Sequence, residues 1–208
     1  MHTERGFDRL VNFSDAVVAI AITLLILPLV DTATELNDKT VSELLADNWL
    51  KLLVFVISFA VIGRFWLAHH RMYENIVGYN KGLLWVNLFW LLTIVFLPFP
   101  TELIASSGGG DDSPATSALY IGTMVLSSFA GTGQMMIILR HPELQVPEVR
   151  GTLSPITSLV ASSMMLLVFL VVIVFPKVGL FALLGLILTG PVQSVVERIA
   201  HRAKTPAV

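Results

Sequence analysis

The chain has 208 residues, of which 55% are hydrophobic and 13% are charged, about half the charged fraction of a typical soluble domain. Such a composition excludes a soluble enzyme as the first reading, because a domain of this size still needs charge on the surface it exposes. Zero cysteines remove disulfides, thiolate metal sites and cysteine nucleophiles, and a net charge of −2 leaves no basic footprint for nucleic acid.

A membrane-spanning helix needs roughly 20 mostly apolar residues. Taken in chain order, the sequence predicts six, over about 12–30, 48–69, 82–103, 115–139, 153–176 and 178–198, in a single all-α membrane domain over 1–208. The last four contain uninterrupted stretches without Asp, Glu, Lys or Arg, namely Gly82–Thr101, Ser113–Leu139, Gly151–Pro176 and Val178–Val196. The first span contains Asp15 and the second contains Lys51 and Arg64. The first apolar run has no small-x-small cleavage pattern and is expected to be retained. Breakers separate the spans: 32–37, the Gly108-Gly109-Gly110-Asp111-Asp112 run, and 141–150 with its two prolines.

Ten of the 13 cations fall on the N-terminal side of this arrangement: Arg5, Arg9, Arg64, Arg71, Lys81, Arg140, Arg150, Arg198, Arg202 and Lys204. Lys39, Lys51 and Lys177 lie opposite. Cations accumulate on cytoplasmic loops, so both termini are expected in the cytoplasm.

Ionisable residues inside a span are costly and are default functional candidates. Asp15 has two readings: an interfacial residue of the first helical turn, or a participant in transport. The similar depths of Asp15 and Arg64 suggest an ion pair, with Arg9 a second possible partner and snorkelling of Arg64 the bland alternative. At 100° per residue Phe13, Ala16, Val17, Ile20, Thr23, Leu24 and Leu27 form one stripe on the first helix, with Asp15 on the far side. Periodicity alone reads that stripe as a packing seam.

The string Arg9-x-x-x-Phe13-Ser14-Asp15, followed by an apolar run to Leu25, resembles the first transmembrane helix of the transmembrane protein 175 family of potassium channels. The resemblance continues through Trp66-Leu67-Ala68-His69-His70-Arg71, Trp85-x-Asn87-Leu88 and Leu97-Pro98-Phe99-Pro100-Thr101, covering roughly the first half of the chain. It implies a potassium-permeable channel with modest selectivity, whose first helices surround a pore that lacks the carbonyl filter of ordinary potassium channels. The fragment Val77-Gly78-Tyr79-Asn80 is read as chance.

By the same resemblance Ile20 is the hydrophobic constriction, Thr23 a ring of hydroxyls and Leu27 a continuation of that face. Arg9, Phe13, Ser14 and Asp15 would form a network behind the helix. A single six-helix unit implies a bacterial homotetramer in the cytoplasmic (inner) membrane, with lipid and potassium ions as its partners and no cofactor.

Other constellations are weaker. His70 and Glu74 could share a helix face, but no His-Glu-x-x-His pattern supports a metal, and His69-His70-Arg71 reads better as an interfacial cap or pH-sensitive contact. Mid-span Ser127-Ser128 and Ser162-Ser163 read as helix–helix hydrogen-bonding groups. The competing function is a six-helix secondary transporter with helices broken near Pro98 and Gly190-Pro191, although the second half has no counterpart of Phe13-Ser14-Asp15.

Overall fold

A computed structural model describes residues 4–33, 40–106 and 114–174. The described chain is helical: α1 (Glu4–Leu24), α2 (Leu27–Ala33), α3 (Val41–Asp47), α4 (Trp49–Tyr73), α5 (Lys81–Phe96), α6 (Pro98–Ser106), α7 (Pro114–Arg140) and α8 (Ile156–Val174). Five stretches among the described residues are long and apolar enough to cross a bilayer: Arg5–Ala33, Trp49–Tyr73, Lys81–Ser106, Ala115–Arg140 and Ile156–Val174. The sixth expected span, 178–198, lies outside the described residues.

Two of the expected spans are each a pair of helices. In the first, Pro28 has no N–H to give the carbonyl four residues back, and the chain tightens ahead of it. Leu25 N donates to the Ile22 carbonyl and Ile26 N to the Thr23 carbonyl, each at 3.3 Å, before α2 begins. In the third span Pro98 and Pro100 interrupt the ladder in the same way. The seam is satisfied locally, because the Thr101 backbone N–H reaches the Leu97 carbonyl at 3.2 Å and the Thr101 hydroxyl donates to it at 2.8 Å.

Helix α1 also begins at Glu4, eight residues before the expected boundary of 12, and α4 runs to Tyr73 instead of stopping near 69. Both extensions have a packing cause. Leu10 from α1, Met72 and Tyr73 from α4, and Ile76, Leu83, Ile138 and Leu144 form one buried apolar cluster, and Phe7 stacks on Tyr73 with ring centroids 6.1 Å apart. Below it the two loops at this end are stitched together: Val77 N donates to the Leu144 carbonyl at 2.8 Å and Val146 N to the Asn75 carbonyl at 3.0 Å. Arg5, Arg9, Arg71, Lys81, Arg140 and Arg150 belong to the helix ends and loops that meet at this layer. Val77-Gly78-Tyr79-Asn80 lies within it as well, where the Asn80 side chain caps α5 by accepting from Leu83 N at 2.8 Å.

The main apolar core gathers Val18 and Ala21 of α1 and Leu25 of the turn that follows it with Ile62 of α4, Trp90 and Ile94 of α5 and Met124 of α7, among others. Hydrophobic burial drives little association between helices inside lipid, so interhelical hydrogen bonds and close packing carry the cohesion. Hydroxyls accordingly pair across the helices. Ser58 of α4 lies 2.9 Å from the Tyr120 hydroxyl of α7, Thr93 of α5 lies 2.8 Å from Ser127, and Ser162 of α8 lies 2.9 Å from Ser128 and 2.7 Å from Thr132. This is the use expected of the mid-span serines for Ser127, Ser128 and Ser162, whereas Ser163 is exposed.

Removing the cap of α5 tests how far local signals hold the bundle. Asn80→Ala should lower stability by about 1 kcal/mol, read as a lower midpoint of thermal unfolding in detergent, while Asn80→Ser should keep most of it. Equal midpoints for the wild type and Asn80→Ala would mean that α5 is set by packing alone.

Candidate functional site

Helix α1 is fixed along one side. Leu10, Ser14, Val18, Ala21 and Leu25 are buried, spaced by three or four residues and therefore on one face, and that face meets α5, α4 and α6. The opposite side is open. Phe13, Ala16, Ala19, Ile20, Thr23, Leu24 and Leu27 are exposed, with Ile20 at 59% and Leu27 at 52%, against 2% for Val18 and none for Ala21. The stripe drawn from sequence is therefore a face left uncovered by the rest of the described protomer. Val17 alone is partly packed, touching the core.

Within the open face the Thr23 hydroxyl donates to the Ile20 carbonyl at 2.8 Å. A hydroxyl has one proton and two lone pairs, so with its proton turned back to the helix the oxygen can offer lone pairs outward. Ile20 lies one turn before it, about 4.5 Å lower in helical rise, and offers only hydrocarbon. On this face an apolar side chain is thus followed one turn on by an oxygen acceptor, chemistry that a partly dehydrated cation can use. It offers nothing to an anion.

Behind this face a polar network ties α1 to its neighbours. Ser14 Oγ donates to the Leu10 carbonyl at 2.9 Å and accepts from Asn87 Nδ2 at 2.9 Å. Asn87 Oδ1 lies 2.8 Å from His69 Nε2, so with this amide orientation the imidazole is the donor. Asn87 has no exposed surface and His69 is 4% exposed. The His69 ring is stacked against Tyr73 at 4.0 Å and Trp90 at 4.3 Å between centroids. Burial of so many polar atoms is tolerable only because each of these groups finds a partner in another helix.

Asp15 joins the same region by another route: Trp66 Nε1 donates to Asp15 Oδ1 at 2.8 Å. The hydrogen bond the structure gives Asp15 is to this indole, in place of the expected contact with Arg64. The reason is angular, since residues two apart on a helix differ by about 200°, so turning Trp66 toward α1 turns Arg64 away from it. Arg64 lines a cleft with residues of α7 and α8. Arg9 is exposed near the start of α1, and Phe13 lies on the open face and not within the network.

His69 also differs from its reading as part of an interfacial cap. It is a core residue, whereas His70 is the more peripheral of the pair, stacked on Trp66 and 3.4 Å from Glu74. No group of three or more His, Cys, Asp or Glu residues that could hold a metal occurs among the described residues. The network members not singled out individually from sequence are Trp66, His69, Asn87 and Trp90. An asparagine in an otherwise uncharged apolar span was the available signal, because a buried amide in hydrocarbon must find partners.

The family profile described as the endosomal/lysosomal potassium channel TMEM175 matches residues 9–98, the stretch that holds the open face, Asp15, Trp66, His69 and Asn87. A potassium channel of Streptomyces collinus is 30% identical over 150 residues, spanning 69% of this chain and 72% of that protein. The chain belongs to the TMEM175 family. A potassium channel of Chamaesiphon minutus is 34% identical over 116 residues, 55% of this chain and 57% of that one. The human endosomal/lysosomal proton channel TMEM175 is 32% identical over 104 residues, 48% of this chain but only 20% of the human protein. The crystal structure of a lysosomal potassium-selective channel TMEM175 homolog from Chamaesiphon minutus superposes with a TM-score of 0.57 at 25% identity, covering 88% of this chain and 97% of that chain. TMEM175 is a family of ion channels and not of enzymes, and it works without a cofactor.

The network makes a stability prediction. Asn87→Ala strands His69 and removes the tie to Ser14, which should cost about 1–3 kcal/mol, seen as earlier thermal unfolding of the detergent-solubilised protein. A double-mutant cycle of Asn87→Ala with Ser14→Ala should show coupling between the two sites. Additive effects would sever this link between α1 and α5.

Proposed function

We propose that this TMEM175 member is a potassium-permeable, modestly selective cation channel, in which the open face of α1 lines a central pore between protomers. The observation that carries this reading is the two-sided character of α1: one face locked into the bundle, the other exposed and carrying Ile20 and Thr23, with exposed Leu27 at the start of α2 just past the break. Membership of a potassium-channel family supports that use of the face, and the relatives named as potassium or proton channels support a cation as the cargo.

In the proposed assembly four protomers bring α1 to a common axis in a bacterial inner membrane, with the cation-rich end and both termini in the cytoplasm. The Ile20 side chains form the narrowest ring. A potassium ion there must give up part of its hydration, and a narrow apolar ring can also close by dewetting. The Thr23 oxygens one turn on replace some of the lost water, and Leu27 continues the wall past the break in the helix. Hydroxyls from side chains are fewer and less rigid than a cage of backbone carbonyls, so discrimination between potassium and sodium is modest. The residues behind the face do not touch the ion: Ser14, Asp15, Trp66, His69 and Asn87 hold the helix so that its register about the axis stays fixed.

Because the native chain has no cysteine, single cysteines can map the wall directly. In liposomes with a potassium gradient, Ile20→Asn should raise the leak severalfold and reduce potassium-over-sodium discrimination, with Ile20→Ala intermediate. Flux through Ile20→Cys or Thr23→Cys should be blocked by a charged, water-soluble thiol reagent, whereas Val18→Cys on the packed face should be insensitive. Conductance indifferent to every substitution at Ile20, with Val18→Cys the reactive position, would overturn the pore assignment. Flux that saturates slowly and depends on a second solute would indicate a transporter instead.

A further inference from the structure

On the side of α4 that faces away from α1, a cleft of about 550 Å³ runs between α4 and α8 over a floor formed by α7. Arg64 and Arg71 both line it. They are seven residues apart and so lie on the same face, separated by about 10 Å of helical rise, and both are exposed. No Asp or Glu lines the cleft among the described residues. Ser158 of α8 lines the same cleft as the arginines, and Val61 and Met165 line it farther from the cation-rich end. The cleft carries its two cations toward one end and Val61 and Met165 toward the other, while Ser127, Ser128 and Thr132 on its floor are already bonded to Thr93 and Ser162.

That zoning matches an amphiphile entering from the leaflet next to the cation-rich end of the bundle. An arginine at membrane depth is costly unless it finds an anion or water, and basic pockets between transmembrane helices are suited to anionic lipid headgroups. A guanidinium has five N–H donors, so contacts within the protein leave Arg64 able to serve a phosphate. Trp66 faces α1 from the opposite side of α4, which places the cleft on the side of α4 turned away from the proposed pore. We propose that this cleft binds one anionic phospholipid, its phosphate held by Arg64 and Arg71 with Ser158 beside it and one acyl chain laid over Val61 and Met165. The site rests on the pore reading only for the direction in which the cleft faces. Its occupancy is measured without any flux.

Gly131 provides the means to test occupancy without touching a charge. It lines the cleft, and a Cβ built on it would meet nothing within 4 Å, so Gly131→Leu should fill the space without disturbing the helix. The full-length protein would be equilibrated in detergent with equimolar phosphatidylglycerol and phosphatidylcholine, re-isolated by size exclusion, and its retained lipid counted by native mass spectrometry. Wild type should retain phosphatidylglycerol over phosphatidylcholine by about tenfold. Arg64→Ala/Arg71→Ala and, independently, Gly131→Leu should each abolish the preference, and Arg64→Lys/Arg71→Lys should retain part of it. The proposal is overturned by an equal retention of the two lipids in wild type. It is also overturned if the preference survives Gly131→Leu, which would mean attraction to the general surface, or if millimolar inorganic phosphate displaces the lipid, which would assign the arginines to a free anion. Loss of flux with the lipid preference intact would count against the pore reading and leave this site standing.

Discussion

The single interaction on which the arrangement turns is the hydrogen-bonded contact of α1 with α4 and α5. In a hydrocarbon solvent an apolar helix gains little by exchanging lipid for another apolar helix, and α1 is apolar on both sides. Packing of Val18, Ala21 and Leu25 alone would not decide which face turns inward, since Ile20, Leu24 and Leu27 could make similar contacts. The buried amide of Asn87, held between Ser14 and His69 at 2.9 and 2.8 Å, does decide it. A helix rotated by one residue would take Ser14 away from Asn87 and leave the buried amide N–H without its acceptor in hydrocarbon, a cost of several kcal/mol. The indole–carboxylate bond of Trp66 to Asp15 adds a second point of attachment on the adjoining side, so that α1 is fixed in rotation as well as in position.

This explains how much of the site was legible before the structure. The stripe along α1 is readable from residue spacing, and so is the pairing role of Ser127, Ser128 and Ser162; the break ahead of Pro28 is not part of the uninterrupted span that the sequence predicts. Which of the two apolar faces packs was not readable from periodicity, because hydrophobicity hardly differs between them. The stripe taken for a seam is the open one. Charge alone points Asp15 to Arg64 or Arg9, while an indole N–H two residues beyond Arg64, and about 200° around the helix, binds the same carboxylate. His69 was placed at the interface because it sits in a polar run with His70 and Arg71. What draws it inward is the extension of α4 to Tyr73 and the aromatic sandwich with Tyr73 and Trp90, a tertiary effect that no local pattern carries.

The two proline breaks sharpen the contrast between the faces. At the α5–α6 seam the backbone is wrapped by protein: Leu97 is buried, its carbonyl receives both the backbone and the hydroxyl of Thr101, and the Thr101 hydroxyl sits 3.1 Å from Ser58. At the α1–α2 seam the surroundings are different. Pro28 deprives the Leu24 carbonyl of its ordinary i+4 donor, and the flanking turn is tightened into the two weaker bonds at 3.3 Å. Leu24, Ile26 and Leu27 are all exposed there. The break also falls eight residues short of the end of α2 at Ala33, about 12 Å of rise, which is too deep to be excused as a frayed helix terminus. Irregular backbone at membrane depth persists only where protein covers it or water reaches it. In the proposed pore the open stripe of α1 would meet another protomer or an aqueous path, either of which suits such backbone better than bare lipid. The proposed ring of protomers around a central conduit would provide both.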